Sequence, residues 1–212
     1  MAGVEGPTDH PLVKTVCKAA QRILPAVLHR KQPLTVDHLR RLVGRTADDC
    51  SLPQLMIITA ILVGFFGFFR FSDLANIWVD WISLYDTHVE IFLQSRKNDQ
   101  FREGHWLAIA ANSGSRICPV RWLRLLLSRA ALVGHRPLFS FCTAKGHYGR
   151  SQIGYSALRD LLLRQLEEIG LPRSSSGTHS LHAGGATMAA NIAVELGIPD
   201  RLWHEHGGWR SV

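Results

Sequence analysis

Leu55–Phe69 reads LMIITAILVGFFGFF, an uncharged apolar run closed at once by Arg70. It is either a membrane span or the buried centre of a globular domain, and the choice decides the fold. At about 1.5 Å per residue, such a helix reaches roughly 22 Å, short of a hydrocarbon core ~30 Å thick. Ser51 stands as an N-cap, with Pro53 in the first turn. A buried helix with neighbours on every side is therefore expected, and no membrane partner.

The rest of the chain agrees. Its 212 residues are 46% hydrophobic and 19% charged, which excludes a disordered, collagenous or disulfide-stapled protein. One domain of ordinary size is expected, with a core large enough to stand without metal or disulfide support. Cys17, Cys50, Cys118 and Cys142 lie far apart with no CxxC, so they read as single thiols of a reducing compartment. The start, MAGVEGPTDHP, lacks the basic and apolar segments of a signal peptide, so secretion is not expected.

Outward from the central run, elements follow from caps and periods. Residues 11–30 suggest a helix interrupted at Pro25, the end of an upstream element. Thr35 is placed to cap a helix opening at Val36-Asp37. After Trp81 the period becomes two: Ile82, Leu84, Val89, Ile91 and Leu93 alternate with polar neighbours, as do Trp106, Ala108 and Ala110. The intervening SRKNDQ (95–100) reads as the turn of a small antiparallel sheet. Helices return over 120–133 and 155–169, and another begins at His179 with Thr178 as cap and closes at Gly197. A last short helix opens at Pro199-Asp200. The expected fold class is mainly α with one small antiparallel sheet. Residues 1–32 form an extension and 33–212 the domain.

Net charge is +7, and all of it falls between Ser115 and Arg173, where ten basic residues face three acids. Nine of the ten are arginine, whose fork chelates phosphate oxygens in a way lysine does not. Such a run also serves as a plain solvated face, so charge alone leaves both readings open.

Four local features carry chemistry. Arg70 adjoins a wholly apolar run and needs an anion, either Asp73 or a ligand. Lys97 sits in the polar turn, where the plain reading is a solvated lysine. His179 and His182 share a helix face, with Gly184-Gly185 behind them permitting close backbone approach. With His204 and His206 they could ligate zinc, although no HExxH spacing is present. The HGGWRS stretch (206–211) breaks off in mid-element.

Taken in order, FFGFFRFSDL, SRKNDQ, THSLHAGGATMAAN and HGGWRS resemble the catalytic domain of tyrosine recombinases, the phage-integrase-like family, from about Leu34 onward. CPV at 118–120 and PLF at 137–139 resemble the branch found in eukaryotic mobile elements. The resemblance implies DNA cleavage and rejoining through a 3′-phosphotyrosyl link, without metal or nucleotide cofactor. Double-stranded DNA is the implied partner, with a homo-oligomer assembled on it, in a nucleus if the host is eukaryotic and otherwise in cytoplasm.

Residue by residue, Arg70 matches the family's first phosphate-clamping arginine, and Lys97 the lysine that protonates the 5′-oxygen leaving group. His179 matches the histidine of the H-x-x-R box, and Trp209 the His/Trp position, where an indole N–H donates to a phosphate oxygen. Arg116, Arg121, Arg124, Lys145, Arg150 and Arg173 are the expected contacts to the DNA backbone, and Asp73 the structural partner of Arg70.

Two departures accompany the match. The arginine of the box is His182, so a permanent bidentate cation is replaced by a group mostly neutral at pH 7. The nucleophilic tyrosine would follow Trp209 by a few residues, beyond Val212, while Tyr85, Tyr148 and Tyr155 all precede the box. The chain is thus expected to be C-terminally incomplete and defective in cleavage. Two other readings are a repurposed DNA- or protein-binding module and, on the histidines alone, a zinc hydrolase.

Overall fold

A computed structural model describes residues 10–23, 31–94, 104–143 and 145–207. The chain divides into two units, one ending at Arg30 and one beginning at Lys31. In the first, helix α1 (Pro11–Ile23) leaves Leu12 and Val16 exposed. Pro25 lies outside the described residues.

The second unit opens with α2 (Val36–Gly44). Thr35 Oγ1 accepts the His38 backbone N–H while His38 Nδ1 accepts that of Thr35, a reciprocal cap. Next come α3 (Leu52–Phe66) and α4 (Phe71–Ala75), a 3₁₀ turn (Val79–Trp81), and strands β1 (Ile82–Leu84), β2 (His88–Leu93) and β3 (His105–Ala110). Helix α5 (Pro119–Arg129) precedes strands β4 (Ser140–Cys142) and β5 (Tyr148–Gln152). The described part closes with α6 (Tyr155–Glu168), α7 (Thr178–Leu196) and α8 (Asp200–Gly207). This is a mainly helical domain with small antiparallel sheets.

Helix α3 is the apolar run, and Leu55 to Phe65 are all buried. It contacts α2, α5, α6, α7 and β4, which together replace the water a charged face would require. Its one polar side chain in the core, Thr59, donates to the carbonyls of Leu55 (2.8 Å) and Trp122 (3.3 Å), which joins α3 to α5 with the hydroxyl satisfied. Among the described residues no helix is long and apolar enough to cross a membrane.

The three-stranded sheet has order β1-β2-β3, all antiparallel, with Ile82 opposite Ile91 and Ile91 opposite Leu107. Val89, Ile91, Leu93, Leu107 and Ile109 enter the core, and the alternate residues form the outer face. A second antiparallel pair, β4-β5, has no counterpart in the sequence reading.

Several boundaries move. Helix α5 ends at Arg129 rather than 133, because Ala131 turns left-handed at φ 47° and returns the buried Leu132 to the core. α6 stops one residue short of Ile169. Thr178 is the first helical residue of α7 rather than its cap, and the Gly177 backbone N–H donates to Ser180 Oγ at 3.1 Å.

Candidate functional site

The C-terminal end of α3 builds the first wall. Gly67 closes the helix, and Phe68 takes φ 49°, a conformation costing a non-glycine residue about 1–3 kcal/mol. Packing holds it there: Phe69 is fully buried and the Phe68 ring stands edge-on to His206, centroids 4.6 Å apart. The turn delivers Arg70, half-buried, to the start of α4.

The expected Arg70–Asp73 side-chain pair does not form. Asp73, 1% exposed, instead accepts the backbone N–H of Arg70 on Oδ2 at 2.9 Å, as a carboxylate at the third position of a helix does. Among the described residues Arg70 has no carboxylate within ion-pair distance.

Helix α7 supplies the second wall, because two glycines let it approach closely. A Cβ on Gly184 would lie 2.3 Å from the Leu34 carbonyl oxygen, and one on Gly185 only 1.9 Å from that of Phe65. One turn earlier, buried Leu181 meets Gly64. This packing sets the first turns of α7 on the end of α3, the end that Arg70 follows. His179 is exposed there and His182 half-buried, with its Nε2 atom inside. Helix α8 completes the group: His206 Nε2 lies 2.8 Å from the Phe66 carbonyl, which anchors α8 to the same end of α3. Lys97 and Trp209 lie outside the described residues.

The expected DNA contacts separate into two sets. Arg121 pairs with Asp48, and that hydrogen bond holds the Asp48 carboxyl below its ordinary range. Arg124 donates to the Tyr85 carbonyl and approaches Asp86, and Arg173 pairs with Asp160 and Glu167. Among the described residues Arg116 donates to the Thr46 carbonyl alone, at 3.4 Å. Lys145 and Arg150 are exposed and, among the described residues, in no ion pair. Both belong to the β4-β5 hairpin. Gln152 Nε2 donates to Asn76 Oδ1 at 3.0 Å, tying β5 to the end of α4, the helix that Arg70 begins. The short alternation in Phe139–Cys142 and the turn glycine Gly146 are the sequence signals for this hairpin.

The zinc reading finds no geometry. Among the described residues no three His, Cys, Asp or Glu side chains cluster as a metal site, and His206 Nε2 already faces a carbonyl.

No family model matches the chain. In sequence it is similar to the "Integrase/recombinase xerD homolog" of Selenomonas ruminantium, 28% identical over 195 residues, covering 92% of this chain and 56% of the relative. The chain thus spans about half the length of that relative. Among solved structures, XerH site-specific recombinase bound to its difH substrate aligns with TM-score 0.58 at 16% identity, over 88% of this chain and 50% of XerH. The lambda integrase catalytic core aligns with TM-score 0.55 at 14% identity, over 84% of this chain and 91% of that core. A helical domain centred on α3, with a small antiparallel sheet and α7 packed on the end of α3, therefore carries the fold of the tyrosine recombinase catalytic domain, and in sequence it is similar to that family.

Proposed function

We propose that residues 33–212 are a duplex-DNA-binding domain of tyrosine recombinase type, of the eukaryotic mobile-element branch, descended from enzymes that cut and rejoin strands through a phosphotyrosyl link. Residues 1–32 are an extension. The observation that carries this reading is Arg70, a guanidinium without a carboxylate partner among the described residues, which follows the end of α3 on which the α7 turns bearing His179 and His182 pack. A DNA phosphate satisfies it.

In this site Arg70 holds the non-bridging oxygens, where charge grows as the phosphorus becomes five-coordinate. His179 takes the proton of the attacking hydroxyl or donates to the phosphate, Lys97 protonates the departing 5′-oxygen, and Trp209 donates its indole N–H. Lys145 and Arg150 contact neighbouring phosphates, as do the remaining arginines where their acid partners release them. The protein assembles as a homo-oligomer on duplex DNA, in the nucleus if the host is eukaryotic and otherwise in the cytoplasm.

His182 favours a second reading, that binding outlived cleavage. An imidazole lacks the permanent charge and planar fork of the family's arginine, and loss of such a transition-state contact costs about 3 kcal/mol. Two of the three tyrosines are engaged away from Arg70: Tyr148 buries its hydroxyl on the Leu138 carbonyl and Tyr85 stacks on His88, while the exposed Tyr155 stands edge-on to Phe71 at 5.1 Å and precedes the box in sequence. The test is binding to a 30-base-pair duplex over a range of salt, with a nicked suicide substrate alongside. The expected result is a steeply negative log–log salt slope and no covalent adduct from these 212 residues. A slope near zero would end the DNA reading, and an adduct would overturn the defect.

A further inference from the structure

The outer face of the three-stranded sheet carries a row of aromatic rings unrelated to the Arg70 site. On the side away from the core, Trp81 of the 3₁₀ turn meets Phe92 of β2 (5.5 Å between centroids), and Phe92 meets Trp106 of β3 (5.2 Å). Trp78 and His135 extend the row: these two rings are stacked at 4.2 Å, and both lie 6.0 Å from Trp81. Trp106 is 55% exposed, a large indole presented to water at the edge strand. Packing of the domain explains the inward residues of these strands and leaves this row unexplained; Trp78, Trp81 and Phe92 are half-buried and Trp106 is exposed, and a contiguous aromatic patch that reaches water in this way marks an interaction surface.

Charge identifies the partner. Residues 71–115 hold six acids, Asp73, Asp80, Asp86, Glu90, Asp99 and Glu103, against three bases, Arg96, Lys97 and Arg102, a net −3 on a chain whose net charge is +7. Two of these carboxylates sit on the aromatic face. Asp80 is bonded to His135 Nδ1 at 2.8 Å, and Glu90 lies 3.5 Å from His88 Nε2. Asp86 is turned to Arg124, and Asp73 is buried. Phosphates are repelled from such a face, whereas a cation is attracted twice, by the negative ring faces and by the carboxylates.

We propose that this sheet face binds a segment of another protein bearing lysine or arginine side chains, whose cations lie over Trp106 and Trp81 while Asp80 and Glu90 supply the counter-charge. The face shares no residue with the proposed DNA site, whose Lys97 lies in the connection between β2 and β3.

Fluorescence anisotropy of a labelled hexa-arginine peptide on the full chain tests this, with a labelled eight-nucleotide poly-dT strand and a DNA duplex measured in parallel. Trp106→Ala removes no charge and little buried area. It is expected to weaken the peptide by about two- to fivefold, the size of one exposed cation–π contact, and to leave duplex binding unchanged. Asp80→Asn with Glu90→Gln is expected to weaken the peptide further and spare the duplex. Circular dichroism confirms folding, and Trp106→Tyr, which keeps a ring, is expected to retain most of the peptide affinity. Peptide binding indifferent to Trp106→Ala overturns the proposal. So does loss of poly-dT binding in Trp106→Ala with the peptide unaffected, which assigns the face to single-stranded nucleic acid instead.

Discussion

Gly185 of α7 faces the carbonyl of Phe65 in α3 so closely that a methyl group at its Cβ position would lie 1.9 Å from the oxygen. Neither partner is a flexible side chain, so a larger residue moves a helix. Gly185→Ala is expected to cost about 3 kcal/mol in chemical denaturation, the upper end for overpacking, and to weaken duplex binding by displacing His179 and His182. A cost below about 1 kcal/mol would mean that α7 does not rest on α3 in this way.

Among the described residues Arg70 has no carboxylate to lose. Arg70→Gln should therefore change stability by less than about 0.5 kcal/mol while weakening the duplex severalfold. Asp73→Ala is expected to behave in the opposite manner, destabilising by about 1–2 kcal/mol because the Arg70 backbone N–H loses its acceptor. Thermal melts and duplex titrations on the two variants separate these outcomes. Equal destabilisation by both would show a side-chain ion pair after all.

The hairpin cations and the paired arginines should differ in salt dependence. Lys145→Ala with Arg150→Ala is expected to reduce the magnitude of the duplex salt slope by about two, one per phosphate contact. Arg121→Ala and Arg173→Ala should reduce it less, since Asp48, Asp160 and Glu167 already neutralise those groups. An unchanged slope in the hairpin variant removes β4-β5 from the interface.

His182→Arg tests the departure in the family box directly. Adding a guanidinium on the first turns of α7 is expected to tighten duplex binding by about threefold to tenfold at neutral pH, as a charge-assisted phosphate contact would. No gain in affinity, with the fold intact by circular dichroism, would count against phosphate binding at this position.

Tyr148 gives the pH signature. Burial pushes its phenol above the ordinary value of 10.0, and its hydroxyl donates to the Leu138 carbonyl at 2.6 Å. The folded state thus holds this proton more tightly than the unfolded chain. Its contribution is complete below pH 10 and is lost as pH rises further. Ultraviolet titration should show the Tyr148 phenol ionising only with unfolding. Tyr148→Phe should remove part of the alkaline destabilisation and cost about 1 kcal/mol at neutral pH.

Where capping and periodicity act locally, the elements could be read from residues alone. Thr35 and Ser51 cap the helices they were expected to cap, Gly197 ends α7 in the left-handed conformation, and the alternation after Trp81 yields β1, β2 and β3. Long-range partners could not be read. The excess charge of 115–173 looks free when counted along the chain, yet Asp48 and Asp86, both outside that stretch, take Arg121 and Arg124. The β4-β5 hairpin was missed because β5 is mostly exposed and polar, and no burial period marks it. Arg70 stood out as a cation needing an anion, but only geometry shows that the Asp73 carboxylate caps its backbone N–H instead.

The buried α3 also sets the order of events during synthesis. Leu52–Phe66 leaves the ribosome about a hundred residues before Thr178–Leu196, the helix whose glycines cover its end. At about 5–20 residues per second, this uncharged segment waits some seconds, first for α5 and α6 and then for α7. The nascent chain in that interval presents its stickiest surface, so a chaperone-binding segment within residues 52–69 and strong sensitivity of soluble yield to truncations before 196 follow from the same packing that makes the finished domain.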